Sequence, residues 1–130
     1  MKLTTIYLSA VLLFLAGCDS ASEDANDVLP PQIFISSPEA RSSFRVGEWI
    51  YVEVELAEND VLHQYTMIVD ELDSSRRLLT KSDHLHSKEV TLLDSVKVEA
   101  DQAATWQVMV IAEDHNGNVA QAVTEVNVFP

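Results

Sequence analysis

Apolar and polar residues alternate from Gln32 to the end of the chain, which is the pattern of half-buried β-strands. The clearest segment is Trp49–Ala57, which is followed by the polar run Glu58-Asn59-Asp60. Four aliphatic side chains share one of its faces: Ile50, Val52, Val54 and Leu56. Because burying each of them stabilises a fold by about 1.5–3 kcal/mol, this face is predicted to lie in the core.

The same alternation, interrupted by turn residues, predicts six further strands: one through Ile33 and Ile35, Leu62–Asp70, Arg77–His86, Glu89–Val98, one through Trp106 and Ala112, and Ala120–Phe129. Arg77–His86 is the most polar of them and is predicted at a sheet edge. Asn116-Gly117 is the strongest hairpin signal and predicts a type I′ turn. No window has helical periodicity, so about seven strands in roughly 100 residues predict an all-β, immunoglobulin-like antiparallel sandwich.

Two stretches of this region resemble bacterial immunoglobulin-like modules of an uncharacterised family. The first is Ile35–Pro38 followed by Phe44–Trp49, and the second is Trp106–Asp114 followed by Asn116–Ala120. Arg41 stands where such modules commonly have a turn glycine. Since these modules serve in adhesion, spacing and ligand binding, the resemblance implies a fold and not an activity.

The N-terminus has the pattern of a bacterial lipoprotein. Lys2 precedes the apolar run Ile6–Leu15, whose length of about 10 residues suits a signal peptide and is too short for a bilayer. The run ends in Leu15-Ala16-Gly17-Cys18, which resembles a lipobox. That resemblance implies cleavage before Cys18, a diacylglycerol on its thiol and a further acyl chain such as palmitate on its amine. Cys18 is the only cysteine, so no intrachain disulfide can form.

These patterns divide the chain into a signal peptide, 1–17, a lipidated cysteine with a flexible acidic tether, 18–31, and a domain, 32–130. The lipid is predicted to anchor the domain to a membrane of the bacterial cell envelope. Asp19 directly after the cysteine resembles an inner-membrane retention signal, whereas the acidic run that follows resembles a surface-export signal. Inner membrane and outer or surface location therefore both stay open.

The charge balance limits the partners. Lys and Arg number 8 and Asp and Glu number 21, which gives a formal net charge of −13. Such a chain repels phosphate backbones, so nucleic-acid binding is excluded, and a protein or a glycan is the expected partner. No enzyme is predicted, because Gly-X-Ser-X-Gly is absent and the one thiol is consumed by lipidation.

Histidines are the one group of residues that indicates chemistry. His84 and His86 are two positions apart on a predicted strand, so their side chains leave the same face with Cα atoms about 6.6 Å apart. The directions of the predicted strands place His63 and His115 at the same end of the sandwich. Neutral imidazoles suit zinc, copper or nickel. A chance accumulation of histidines and a proton-sensing role are the alternatives.

Two weaker signals are a turn and two tryptophans. Glu113–Asn118 offers oxygen ligands for calcium, although a plain hairpin also explains it. Trp106 alternates with valines and is predicted in the core, whereas Trp49 and Tyr51 lie opposite the aliphatic face and are a candidate partner surface. The sequence thus predicts a non-catalytic, lipid-anchored binding or structural module. The alternative function is a metal-binding lipoprotein that uses His84 and His86 together with His63 or His115.

Overall fold

The computed structural model describes residues 27–130, which form strands and no helix. The predicted signal peptide, Cys18 and the first part of the tether lie outside the described residues. The strands are β1 Gln32–Ser37, β2 Ser43–Arg45, β3 Trp49–Ala57, β4 Leu62–Glu71, β5 Arg76–His84, β6 Glu89–Lys97, β7 Ala104–Asp114 and β8 Val119–Phe129. Residues 27–130 include no helix that is long and apolar enough to cross a membrane.

The strands form two sheets that pack face to face. One sheet has the order β1-β3-β6 and the other the order β2-β8-β7-β4-β5. All neighbouring pairs are antiparallel except β2 and β8, which are parallel. The predicted all-β, immunoglobulin-like sandwich is therefore confirmed.

The core lies between the sheets and follows the predicted alternation. Every second residue of β3 is buried, and the four aliphatic side chains of its inner face are at most 1% exposed. Trp106 on β7 is fully buried, with Val108, Val110 and Ala112 on the same face of that strand. Apolar burial on facing strands is what holds the two sheets together.

Strand β2 was not predicted from the sequence. Its three residues pair with the far end of β8, where Phe44 lies opposite Val128. A segment this short carries too little alternation to be recognised, and its partner is distant in the sequence. The predicted polar edge strand does lie at the edge of its sheet, but β5 ends at His84 and leaves His86 in the following loop.

The hairpin between β7 and β8 lies where Asn116-Gly117 predicted it, but its turn is not type I′. A type I′ turn needs positive φ at both central residues, and here only Gly117 has it, with φ of 84°. The Asp114 carboxylate instead accepts hydrogen bonds from the backbone N–H groups of Asn116 and Asn118, at 2.8 Å each. An Asx-type cap therefore shapes a longer loop.

The edge strands β5 and β6 are joined by an inward-facing ion pair. Lys81 Nζ lies 3.0 Å from Asp94 Oδ2, and both residues are partly exposed. Burial opposes ionisation of Asp94, but hydrogen bonds from Lys81 and from the Ser95 N–H, with the charge of Lys81, keep the pKa of Asp94 below its ordinary value. Inward-facing charges on edge strands also disfavour pairing with another chain.

Candidate functional site

Three strand ends and the loop after β5 meet at one end of the sandwich. The N–H of Leu85 donates to the carbonyl of His63 at 2.7 Å, and the N–H of His115 donates to the carbonyl of Val61 at 3.2 Å. These backbone bonds join the start of β4 to the regions that follow β5 and β7. Residues that are far apart in sequence are therefore held at the same end.

The structure brings all four histidines together at this end. The ring centroid of His63 lies 5.2 Å from that of His84 and 4.8 Å from that of His115. The ring centroids of His115 and His86 are 5.8 Å apart. The imidazoles thus form a chain in the order His84, His63, His115, His86, which we call the histidine cluster.

His63 is the central member of the cluster and occupies a β-bulge. The pairing of β4 with β7 shifts register between Leu62 and Gln64, so His63 has no direct partner on β7. Bulges commonly re-aim a side chain next to a functional site. The Nδ1 atom of His63 is buried and has no hydrogen-bond partner, whereas His84, His86 and His115 are exposed. An unpartnered buried nitrogen is costly, and a bound ion would satisfy it.

The separations of neighbouring rings resemble that of two imidazoles bound to one ion. A metal–nitrogen bond of about 2.0–2.1 Å and a centroid-to-nitrogen distance of about 1.2 Å put two imidazoles on a tetrahedral ion roughly 5.2 Å apart, centroid to centroid. The three separations in the cluster are 4.8, 5.2 and 5.8 Å. Within residues 27–130, however, no three histidine nitrogens lie within 4.8 Å of one another. Convergence on an ion therefore requires rotation of the exposed rings.

A second group of donors at this end consists of carboxylates. Asp27, Glu58 and Asp114 each contribute an oxygen that lies within 4.8 Å of the other two. We call them the carboxylate cluster. Glu58 follows β3, Asp114 ends β7 and Asp27 precedes β1, so three separate parts of the chain meet here. Asp114 belongs to the turn Glu113–Asn118 whose oxygens the sequence indicated as candidate calcium ligands, whereas no pattern in the sequence pointed to Asp27.

Asp114 is the most constrained carboxylate of this group, with 1% of its surface exposed. Its burial opposes ionisation. Hydrogen bonds from the Asn118 carboxamide and from the N–H groups of the loop outweigh that effect and hold the pKa of Asp114 below its ordinary value. Asp114 therefore stays negatively charged at neutral pH.

The last residues of the predicted tether, 27–31, lie against the domain. Asp27 accepts a hydrogen bond from the side chain of Asn59 at 2.7 Å through its carboxylate and from that of Asn118 at 2.9 Å through its carbonyl. Pro31 is buried. These side-chain bonds hold residues that precede β1 against the end of the sandwich, although their composition resembles a flexible linker.

The candidate partner surface lies away from this end, on the outer face of the three-stranded sheet. Trp49 is 48% exposed and Tyr51 is 66% exposed. Phe34 and Leu93, on the neighbouring strands β1 and β6, are also exposed. The surface is thus available, and its use for a protein or a glycan stays a prediction.

Comparisons with known proteins find the fold and no family. No protein-family model and no curated protein matches the chain. A superoxide reductase (neelaredoxin) from Ignicoccus hospitalis is similar in structure, with a TM-score of 0.50, 14% identity and coverage of 76% of this chain and 79% of that one.

Two further solved structures are similar. A fibronectin(III)-like module of Clostridium thermocellum CbhA has a TM-score of 0.49 and 15% identity over 75% of this chain and 94% of its own. Murine CRIg has a TM-score of 0.46 and 9% identity over 75% of this chain and 97% of its own. At these identities the likenesses concern the sandwich fold alone.

Proposed function

We propose that this chain is a non-catalytic, lipid-anchored binding module of the bacterial cell envelope that captures a late first-row divalent ion, zinc, copper or nickel, with its histidine cluster. The observation that carries this proposal is the continuous chain of four imidazoles, with ring separations of 4.8–5.8 Å, centred on His63. Imidazole nitrogens are the donors that these ions prefer.

The support comes from the different constraints on the rings. His63 is half-buried on its bulge and provides a fixed donor whose Nδ1 has no partner in the protein. His84 and His115 flank it with exposed side chains that can turn toward a shared ion. His86 lies next to His115 and is placed to provide a fourth nitrogen, which would complete a tetrahedral site.

Isothermal titration of the full-length chain in detergent with zinc, copper and nickel tests the metal site. We expect micromolar or tighter binding. Loss of the His63 ring in His63→Ala is expected to weaken it by about tenfold or more, and His84→Ala/His86→Ala is expected to weaken it further. Ser87→Ala, in the same loop as His86, is the matched control. Absence of binding between about pH 6 and 8, or unchanged binding in His63→Ala, would contradict the proposal.

The lipid anchor rests on the sequence Leu15-Ala16-Gly17-Cys18 and has its own test. Mass spectrometry of the native protein is expected to find a mature chain that begins at Cys18 and carries acyl groups. Cys18→Ser is expected to leave the leader uncleaved and to remove the acyl groups. A native chain with an unmodified Cys18 would contradict the proposed lipid anchor. It would not affect the proposed metal site, which the titration tests separately.

A further inference from the structure

We infer that the carboxylate cluster is a second cation site, for calcium, and that calcium fastens the segment before β1 to the end of the sandwich. This site differs from the histidine cluster in donor type and in the burial of its donors, although Asp114 adjoins His115. It uses Asp27, Glu58 and Asp114.

The first argument is an unsatisfied oxygen. Glu58 is 8% exposed, and its Oε2 atom is buried without a hydrogen-bond partner. Its other oxygen, Oε1, accepts a bond from the N–H of Asn59 at 2.7 Å, which fixes the carboxylate. A buried carboxylate oxygen with no donor is destabilising unless a cation or water satisfies it.

The second argument is charge. One oxygen from each of the three carboxylates lies within 4.8 Å of the other two. None of the ion pairs formed by residues 27–130 includes any of the three. Lys88 is nearby, but its ammonium donates to the carbonyl of Asn59 at 2.8 Å. A divalent cation would offset this mutual repulsion.

The third argument is the arrangement of the oxygens. Asp27 Oδ2 accepts a bond from Asn59, and Asp114 Oδ2 accepts one from Asn118, at 2.7 Å each. Both side chains are therefore oriented before any ion binds, and each carboxylate retains lone pairs for one.

The number and type of the donors favour calcium. All three are carboxylate oxygens, which hard cations prefer. Ca²⁺ takes several carboxylates in a flexible geometry, whereas Mg²⁺ gives up its water reluctantly and is usually held by only one or two carboxylates. Three carboxylates with oxygens within 4.8 Å of one another therefore favour the larger ion, and water would complete its coordination.

Calcium titration of the full-length chain in detergent tests the site, by calorimetry and by thermal unfolding. We expect a dissociation constant on the order of 10⁻⁴–10⁻³ M and a rise in melting temperature with calcium, with a smaller rise for magnesium. Glu58→Gln keeps the side-chain shape and is expected to weaken calcium binding by about tenfold or more. Glu55→Gln, an exposed carboxylate on β3, is the matched control and should bind as the parent does.

Asp27→Asn is the second variant, because Asp27 precedes β1 and belongs to no strand. It is expected to weaken calcium binding even if Glu58→Gln fails to fold. Hydrogen exchange of the backbone amides of residues 27–31 measures how firmly this segment is held against the domain. Calcium is expected to slow this exchange in the parent chain and not in Asp27→Asn. No calcium response up to about 10 mM, or an equal response in the parent and Asp27→Asn, would overturn the inference.

The two cation sites are separable by experiment. His84→Ala/His86→Ala is expected to bind calcium as the parent does, and Asp27→Asn is expected to bind zinc as the parent does. Loss of calcium binding in the histidine variant would overturn the assignment of a separate site. Absence of zinc binding in the parent chain, with its calcium binding intact, would overturn the proposal for the histidine cluster alone.

Discussion

The histidine cluster and the carboxylate cluster occupy the same end of the sandwich but are built differently. Three of the four imidazoles, those of His84, His86 and His115, are exposed, and neighbouring imidazoles lie 4.8–5.8 Å apart, centroid to centroid. Glu58 and Asp114 are buried, and the loop N–H groups hold their oxygens. The fold itself therefore sets the geometry of the oxygen donors, whereas most nitrogen donors would take their final geometry from an ion only when one binds.

The largest effect should come from removing Asp114 without any metal present. Asp114→Ala leaves loop N–H groups without an acceptor, so we expect a loss of about 2–3 kcal/mol in the free energy of unfolding. Urea denaturation in the presence of a chelator measures it. His115→Ala, at the next position, should change that free energy by less than about 0.5 kcal/mol. Equal losses in the free energy of unfolding of Asp114→Ala and His115→Ala would contradict the view that the fold holds the carboxylate cluster more firmly than the histidine cluster.

Metal preference should separate the clusters next. At the histidine cluster we expect affinity to rise from manganese through cobalt and nickel to copper, with zinc below copper. At the carboxylate cluster we expect calcium to bind without displacing zinc. Competition titrations of the full-length chain measure both. Displacement of zinc by millimolar calcium would indicate that the two groups of donors share one ion.

The Lys81–Asp94 pair provides a contrast to the unpaired carboxylate cluster. Because the folded-state pKa of Asp94 lies below the ordinary value of 3.8, its contribution to stability is present above that pH. It is lost as the pH falls through the depressed pKa. Asp94→Asn should therefore reduce the acid dependence of the free energy of unfolding, measured by urea denaturation between about pH 2 and 6. Calcium should not alter the difference in acid dependence between the parent chain and Asp94→Asn. A difference that changes with calcium would contradict the separation of this ion pair from the carboxylate cluster.

The smallest effect is expected at the exposed aromatic side chains. Trp49→Ser should change the free energy of unfolding by no more than about 0.5 kcal/mol and should leave zinc and calcium binding intact. Trp106→Phe, in the core, is the contrasting variant and should lower the melting temperature. A larger loss in Trp49→Ser than in Trp106→Phe would contradict the assignment of Trp49 to the surface.

The sequence predicted those features that depend on alternation and strand direction. β3 has the predicted bounds, because its alternation runs unbroken through nine residues. Trp106 is in the core for the same reason. The co-location of the histidines follows from counting strand directions, since each antiparallel step reverses the chain and every second connection lies at the same end.

Features that depend on distant contacts were not predictable. β2 forms through parallel pairing with β8, and Asp27 is positioned by Asn118, 91 residues away. The bulge at His63 has no signal such as glycine in its own segment. The Asn116-Gly117 signal located the hairpin but missed the carboxylate cap of Asp114 that determines its shape.

The position of Asp27 has a geometric consequence for a chain acylated at Cys18. Nine peptide units separate the two residues (27 − 18 = 9), and at full extension they reach about 30–32 Å. The end of the sandwich that carries both groups of donors would then lie within that distance of the bilayer, with the Asp73–Ser75 turn at the opposite end of the domain. An ion bound at either cluster would therefore be held close to the membrane surface.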